Sequence, residues 1–244
     1  YLTSPLNGPS VRAFHDAAAW LENTGPRPLV LDSGCGTGLS TCSIARSHPD
    51  AAVIGIDRSA ARLHKQRTVE LPENALLVQS DLATFWRLLL ETEADESPLA
   101  ATNVAKHFVL YPNPYPKPSR LNLRWHGHPS LPVLLSIGDE LELRSNWRVY
   151  LEEFQAATEL VATTAVGAAD VAFPASVDLA GIDMAMKPHQ RRAWAAAHRH
   201  VARRRGAKSL QIEQVSLGEP AHAITPFERK YHECGERLYR LVLP

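Results

Sequence analysis

The chain has 244 residues, of which 45% are hydrophobic and 21% charged, and its mean hydropathy is −0.20. This composition excludes a chain dominated by disorder, and no apolar run approaches the roughly 20 residues that a membrane helix needs. The 26 Lys and Arg residues balance the 26 Asp and Glu residues, so a nucleic-acid partner would have to meet a local basic patch. Three cysteines without a Cys-x-x-Cys pair predict a cytoplasmic protein with neither a disulfide framework nor a cysteine zinc site.

In chain order, a helical segment over residues 1–27 is followed by short apolar runs that alternate with helical stretches. The predicted strands are 28–32, 52–57, 75–78, 106–111, 140–144, 209–217 and 236–243. The predicted helices are 39–47, 59–67, 81–93 and 149–163. This alternation predicts one α/β domain over 1–244, with a doubly wound, mostly parallel seven-stranded sheet and helices on both faces. Because the last two strands have only a short, non-helical connection, the last strand is expected to be antiparallel.

Residues 165–208 fit this alternation poorly. The second half of this segment, 188–205, has the spacing of an amphipathic helix, and no acidic residue occurs between Lys187 and Lys208. Four arginines share the face opposite the apolar one: Arg191, Arg192, Arg199 and Arg203. Such a run is the expected footprint for RNA phosphates and is also typical of a solvated helix face. We therefore predict a helical basic insertion, with RNA contact and plain solvent exposure both open.

A glycine-rich run, Asp32-Ser-Gly-Cys-Gly-Thr-Gly38, directly follows the first predicted strand. Its glycines, Gly34, Gly36 and Gly38, permit a sharp turn and leave bare main chain where a ligand can approach. The spacing differs from the dinucleotide fingerprint, whose third glycine comes one residue later, and from the phosphate-binding loop with its Lys-Ser/Thr. By itself, the run is equally consistent with a plain strand-to-helix turn.

Two acidic residues end the next two predicted strands. Asp57 closes the second strand and Asp81 follows the third. In a doubly wound sheet the carboxyl ends of the strands form the edge where ligands bind. A carboxylate at Asp57 can accept both hydroxyl protons of a ribose, and Asp81 can accept from an adenine amino group. The pattern predicts an adenosine-containing cofactor. A nicotinamide enzyme is the competing interpretation, although its phosphates need a glycine turn that leads directly into a helix N-terminus.

The combination of Asp-x-Gly-x-Gly-x-Gly, Ile-Gly-Ile-Asp and a third-strand Asp resembles class I S-adenosylmethionine-dependent methyltransferases. The resemblance implies a single Rossmann-like methyltransferase domain with S-adenosyl-L-methionine as cofactor. The cofactor contacts it implies in this part of the chain are Asp32, Gly34, Gly36, Gly38, Asp57 and Asp81.

A proline-rich segment after the fourth predicted strand indicates the substrate. Phe108-Val-Leu-Tyr-Pro-Asn-Pro-Tyr-Pro-Lys117 resembles the Phe-Pro-Asp-Pro-Trp-x-Lys segment of bacterial tRNA (guanine-N7-)-methyltransferases. Leu143-Arg-Ser-Asn-Trp147 stands where that family has a Thr-Asp-Trp segment, and Thr225-Pro-Phe-Glu228 is similar to its Thr-x-Phe-Glu. The matching order covers residues 29–164 and 209–244.

This second resemblance implies roles for single residues. Asn113 would contact the cofactor, and Asn113 and Asn146 would be the catalytic pair. The implied tRNA contacts are Lys117, Arg120, Arg124, Asn146, Thr225 and Glu228. The family has Asp at both catalytic positions, whereas asparagine offers an acceptor and a donor but no charge. Guanine N7 already carries a free lone pair, so its methylation needs alignment and no general base.

The predicted function is methyl transfer from S-adenosylmethionine to RNA, at guanine N7 of tRNA, with tRNA bound through Lys117, Arg124 and the basic stretch 187–208. The asparagines leave two alternatives open. One is a family member that methylates another nucleotide or a small molecule, and the other is a non-catalytic homologue that binds RNA or a partner. Neither a membrane partner nor a metal site is predicted, because the His126 and His128 pair lacks a third ligand candidate.

Overall fold

The computed structural model describes residues 5–65, 70–167, 210–219 and 222–244. The strands are β1 (Leu29–Ser33), β2 (Ala52–Asp57), β3 (Ala75–Gln79), β4 (Val104–Leu110), β5 (Glu140–Ser145), β6 (Ile212–Gln214) and β7 (Tyr239–Leu243). Within these ranges they form a seven-stranded sheet in the order β3-β2-β1-β4-β5-β7-β6. Strands β1 to β5 pair in parallel, whereas β7 is antiparallel to β5 and β6. The predicted sheet, with its antiparallel last strand, is confirmed.

The helices that surround the sheet begin at residues suited to capping. They are α1 (Gly8–Thr24), α2 (Leu39–Ser47), α3 (Ala60–Leu63), α4 (Leu82–Glu91), α5 (Pro98–Ala101), α6 (Leu131–Leu135), α7 (Arg148–Gly167) and α8 (Pro226–Glu233). At α1, α3, α4 and α8 the N-cap side chain accepts a first-turn N–H; these caps are Asn7, Ser59, Asp81 and Thr225. None of the helices in the described ranges has the length and apolar character of a membrane span.

Two apolar clusters lie on opposite faces of the sheet, because successive strand side chains point to opposite sides. Leu29 and Leu31 of β1 belong to the larger cluster, which α1, α4, α6 and α7 complete. Val30, between them, belongs to the smaller cluster with Ile44 of α2. The helices therefore cover both faces, as predicted. This packing leaves the carboxyl ends of β1 to β5 at one edge of the sheet.

The C-terminal connection differs from the prediction. The chain between β6 and β7 contains α8 and is not a short non-helical link, because Thr225 caps a helix and Pro226 suits its first turn, where no N–H is needed. Strand β6 is also shorter than the predicted 209–217. The helical segment predicted over 1–27 contains α1. The basic insertion predicted at 165–208 lies, from residue 168 onward, outside the described residues.

Candidate active site

The glycine turn after β1 crosses the carboxyl edge of the sheet. Gly34, Gly36 and Gly38 have positive φ values of 83°, 61° and 83°, a conformation that residues with a side chain rarely adopt. A Cβ at Gly34 or Gly36 would meet no atom within 4 Å, so this main chain faces open space. At Gly38 a Cβ would lie 2.6 Å from Leu77 Cδ1. The first two glycines are therefore placed for the approach of a ligand, whereas the third lets α2 pack against β3.

Asp57 ends β2 beside this turn and is 3% exposed. Its Oδ2 accepts from the Gly36 N–H at 3.0 Å and from Arg62 Nη1 at 3.2 Å, and its Oδ1 accepts from the Ser59 N–H at 2.8 Å. A carboxylate has about four lone-pair positions, so these bonds do not use all of them. Arg62 is 52% exposed, and an ion pair of this kind is weak enough to open. The arrangement fits the predicted ribose acceptor.

Asp32 lies beneath the glycine turn and is 1% exposed. Its Oδ2 accepts from the hydroxyls of Ser40 at 2.6 Å and Thr41 at 2.7 Å, both in the first turn of α2. Burial raises the pKa of Asp32 to about 6, although these hydroxyl bonds oppose the shift. The direct cofactor contact at Asp32 stays a prediction, and in this structure its Oδ2 is occupied by the two hydroxyls of α2. The carboxylate instead joins β1 to α2 and so holds the turn between them.

Asp81 follows β3 at the outer end of the same edge, and its side chain is exposed. Its Oδ1 caps α4 by accepting from the Thr84 N–H at 2.9 Å and from the Thr84 hydroxyl at 3.0 Å. It also lines a cleft of about 630 Å³ between α1 and β3, together with Arg12 and Arg58. The cap uses Oδ1, which leaves Oδ2 for the predicted adenine contact. We call the glycine turn, Asp57 and Asp81 the cofactor half of the edge.

The proline-rich segment after β4 begins with a strained backbone. Tyr111 and Tyr115 have φ values of 50° and 40°, in the left-handed region that costs a residue with a side chain about 1–3 kcal/mol. Asn113 lies exposed between them, and its Oδ1 accepts from the Tyr115 N–H at 3.1 Å. Strain of this kind persists only where surrounding contacts impose it. Asn113 is therefore held in a defined loop at the carboxyl end of β4.

Asn146 follows β5, the neighbour of β4 in the sheet. The two strands pair in parallel up to Leu110 and Arg144, so the segments that carry Asn113 and Asn146 leave the sheet at the same edge. Asn146 is partly exposed. Of the predicted cationic contacts, Lys117 and Arg120 are both exposed, on the segment that enters a short 3-10 helix. We call the segments that follow β4 and β5, together with α8, the acceptor half of the edge.

Arg124 does not have the exposed position that a tRNA contact requires. Its side chain is 8% exposed, and its Nε and Nη2 donate to the Tyr115 carbonyl at 3.3 and 3.2 Å. Its Nη1 pairs with Glu153 of α7. The tRNA contact at Arg124 stays a prediction, and in this structure the side chain is engaged by internal partners. The guanidinium links the strained loop to α7 by these bonds, and it therefore helps to hold the backbone around Asn113.

Thr225 and Glu228 are likewise occupied by internal contacts. Thr225 Oγ1 accepts from the Glu228 N–H at 3.0 Å, which caps α8. Glu228 is 0% exposed, and its carboxylate accepts from Tyr111 Oη at 3.1 Å, Arg144 Nη1 at 2.7 Å and the Ile224 N–H at 2.6 Å. The substrate contacts at these two residues stay predictions, and in this structure both side chains make internal bonds. Glu228 instead fastens α8 to the segment after β4 and to β5.

Glu228 belongs to a buried ion cluster that the sequence analysis missed. Arg144 also donates to Glu142 at 2.6 Å, and Lys106 bridges Glu142 at 2.8 Å and Glu140 at 2.6 Å. Burial opposes the charge on Arg144, but the carboxylates around it outweigh this and raise its pKa. Arg144 and Lys106 hold the pKa of Glu142 below its ordinary value despite burial. The sequence signal that could have revealed this cluster is the strand Glu140-Leu-Glu-Leu-Arg144, in which charged residues occupy alternate positions.

No group of three His, Cys, Asp or Glu residues that could hold a metal ion occurs in the part of the chain that the structure describes. His126 lies 3.0 Å from Glu153, and its burial lowers its pKa. Burial also lowers the pKa of His128, whose Nδ1 accepts from the Ser130 N–H at 3.1 Å. His126 thus shares Glu153 with Arg124, whereas His128 is bonded within its own turn.

Known proteins similar to this chain are methyltransferases. Residues 30–96, which contain the cofactor half, match the family described as "Methyltransferase domain". A tRNA (guanine-N(7)-)-methyltransferase of Rubrobacter xylanophilus is 38% identical over 95 residues, which are 38% of either chain. A trans-aconitate 2-methyltransferase of Deinococcus radiodurans is 44% identical over 57 residues, 23% of this chain and 22% of that protein.

The matched segments thus span less than half the length of these curated relatives. Among solved structures, the 16S rRNA methyltransferase KamB is 17% identical, with a TM-score of 0.47 over 98% of this chain and 94% of that chain. The sheet order and the open glycine turn are those of the class I methyltransferase fold predicted from the sequence, residues 30–96 match a methyltransferase domain, and the cofactor half fits S-adenosylmethionine.

Proposed function

We propose that this protein transfers the methyl group of S-adenosylmethionine to RNA, at N7 of a guanine in tRNA. The observation that carries the proposal is the junction of two halves at one sheet edge. Gly34, Gly36 and Asp57 form an open, acidic turn at the ends of β1 and β2. Asn113 follows β4, which lies directly beside β1, and Asn146 follows β5 on the other side of β4. The partial identity to a tRNA (guanine-N(7)-)-methyltransferase supports the choice of acceptor.

The residues of the cofactor half match the chemistry of the cofactor. S-adenosylmethionine supplies an electrophilic methyl group on a sulfonium centre. The bare main chain at Gly34 and Gly36 gives it room, and Asp57 can accept the ribose hydroxyl protons once Arg62 turns toward solvent. Asp81 offers an acceptor for the adenine amino group. The negative charge of Asp57 also favours a cationic ligand at this edge.

The acceptor half needs to align the base and does not need to deprotonate it. Guanine N7 is a lone-pair nucleophile in the neutral base, so the rate depends on proximity and orientation. Each amide, at Asn113 and at Asn146, offers an oxygen that accepts and a nitrogen that donates. These groups can accept from guanine N1–H or the 2-amino group and donate to O6. The exposed Lys117 and Arg120 can hold flanking phosphates.

The amides also set a limit on the rate. A carboxylate in either position would make charge-assisted bonds to guanine and would favour the developing 7-methylguanine cation. Asparagine lacks both effects. We therefore expect a slow enzyme whose transfer depends on orientation by neutral hydrogen bonds and on the rigid loop around Asn113.

The test is transfer of labelled methyl from S-adenosylmethionine to total tRNA, followed by digestion and identification of the labelled nucleoside. We expect 7-methylguanosine, and less label at subsaturating S-adenosylmethionine with the Asp57→Asn variant, whose side chain keeps its size. Label in another nucleoside would show that the enzyme has a different RNA acceptor. Label in trans-aconitate, offered in parallel, would show a small-molecule acceptor. S-adenosylhomocysteine binding without transfer to any acceptor would show a non-catalytic homologue.

A further inference from the structure

We infer that three aromatic side chains of the acceptor half form a stacking surface for an unpaired nucleobase of the RNA substrate. They are Tyr111, at the end of β4, with Phe227 and Tyr231 of α8. Their ring centroids lie 6.2 to 6.5 Å apart, and Phe227 is inclined by 26° to each of the other two rings. Phe227 is 55% exposed although it is flanked by the fully buried Glu228. This inference rests on the proposed function and specifies how its site would hold the substrate.

The position of this aromatic patch is fixed by the acceptor half itself. Tyr111 lies two residues before Asn113, and its ring is held by the bond from its Oη to Glu228 at 3.1 Å. Burial, reinforced by the Glu228 charge, raises the pKa of Tyr111, so the phenol keeps the proton that it donates. Glu228 in turn is paired with Arg144 of β5. A platform held in this way loses little conformational entropy when a flat ligand binds to it.

Charge and chemistry select a nucleobase as the occupant. Arg229 and Lys230 are exposed on the same helix as Phe227, and Lys117 is exposed on the segment that follows Tyr111. An apolar protein or lipid contact would be served by aliphatic side chains as well as by rings. Surfaces that bind single-stranded nucleic acid combine exposed aromatic faces with cations that track the phosphates. The aromatic patch has both features, because exposed cations occur on α8 and on the segment that carries Asn113.

Three substitutions of Phe227 separate stacking from packing. Phe227→Ala removes the ring, Phe227→Leu keeps an apolar side chain without an aromatic face, and Phe227→Trp keeps the face. Leu160→Ala is the matched control, because Leu160 is an apolar side chain of α7 that is 65% exposed. Thermal unfolding of each variant checks the fold. Calorimetry with S-adenosylhomocysteine checks the cofactor half.

Steady-state kinetics with tRNA measures the expected loss. Phe227→Ala and Phe227→Leu should lower kcat/KM for tRNA by about 5- to 140-fold, which is the roughly 1–3 kcal/mol of base stacking at 1.4 kcal/mol per factor of ten. Phe227→Trp and Leu160→Ala should stay close to the native value, and S-adenosylhomocysteine affinity should not change in any variant. Native kinetics for Phe227→Leu, or an equal loss of cofactor affinity, would overturn the inference.

A second readout does not require catalysis. The probe is a single-stranded RNA that contains the fluorescent base 2-aminopurine. Stacking of this base on an aromatic ring quenches its fluorescence, whereas binding that brings it to no aromatic face does not. We expect the native protein and Phe227→Trp to quench the probe, and Phe227→Leu to bind it with weaker quenching, because only Tyr111 and Tyr231 remain. If the native protein methylates no RNA, the proposed function fails, and this assay still decides the inference. Equal quenching by the native protein and Phe227→Leu would refute it.

Discussion

The two halves of the sheet edge are held in place by different means. In the cofactor half, glycine main chain and single carboxylates are positioned by contacts between neighbouring strands, as in the bond from the Gly36 N–H to Asp57. In the acceptor half, the strained loop at Tyr111 depends on Glu228, 117 residues away in the chain. The cofactor half is thus a local construction, whereas the acceptor half depends on the packing of distant segments.

This difference has a consequence for the evolution of substrate choice. The contacts of the cofactor half must fit one small molecule, so few of them can change without loss of binding. The acceptor half holds its loop through the buried ion cluster, whose bonds involve neither Asn113 nor Asn146. A methyltransferase can therefore alter its acceptor contacts while its scaffold stays the same.

The largest expected effect comes from breaking the buried ion cluster. Arg144→Met leaves Glu142 and Glu228 without their shared cation, and the loss of one partner of a buried pair costs about 3–5 kcal/mol of unfolding free energy. Arg240→Met is the matched control, since Arg240 lies opposite Arg144 in the β5–β7 register but pairs with the exposed Glu213. It should cost at most about 1 kcal/mol. Equal losses in urea denaturation would contradict the role of the cluster.

The next effect concerns the support beneath the cofactor half. The pKa of Asp32 is about 6 in the folded protein against an ordinary 3.8, so the folded state binds the proton more tightly than the unfolded state. Native stability should therefore fall as the pH rises from about 4 to 7, by about 3 kcal/mol from this group. The Asp32→Asn variant lacks this dependence. Denaturation of both proteins at several pH values should show that the unfolding free energy of the variant rises relative to that of the native protein by that amount as the pH increases. A difference that does not vary with pH would exclude this account.

A third effect isolates the cofactor contact. Asp57→Ala should weaken S-adenosylhomocysteine binding by about 2 kcal/mol, because the ribose hydroxyls lose a charged acceptor. Arg62→Met is the control, since it removes the exposed partner of Asp57 without removing the carboxylate. Its affinity should stay within about 0.5 kcal/mol of the native value. Unchanged calorimetric affinity in a folded Asp57→Ala variant would remove Asp57 from the site.

The smallest effect sharpens the account of the acceptor half. Asn113→Asp combined with Asn146→Asp should speed transfer to tRNA guanine by lowering the barrier about 1–2 kcal/mol, through charge-assisted bonds and a field that favours the cationic product. The measurement is kcat/KM for tRNA beside thermal unfolding. A loss of activity would mean that the native acceptor presents an edge that a carboxylate cannot serve.

The sequence predicted the cofactor half better than the acceptor half. The strand ends at Asp57 and Asp81 and the glycine turn follow from local patterns, and the structure brings them to one edge. The internal roles of Arg124 and Glu228 could not be predicted in this way. A charged side chain in a motif is read as exposed, and its burial depends on partners such as Glu153 and Arg144 that no local spacing reveals. The helical connection before β7 was missed because Thr225-Pro-Phe-Glu228 was interpreted as a site motif and not as a helix cap.

Removal of the acceptor atom tests whether the methyl group goes to guanine N7. Two transcripts of one tRNA can be prepared, one with guanosine and one with 7-deazaguanosine, which has carbon in place of N7 and keeps the N1, 2-amino and O6 groups. We expect labelled methyl transfer to the first transcript and none to the second. The two transcripts should compete equally for binding to the protein. Equal transfer to both transcripts would contradict transfer to N7.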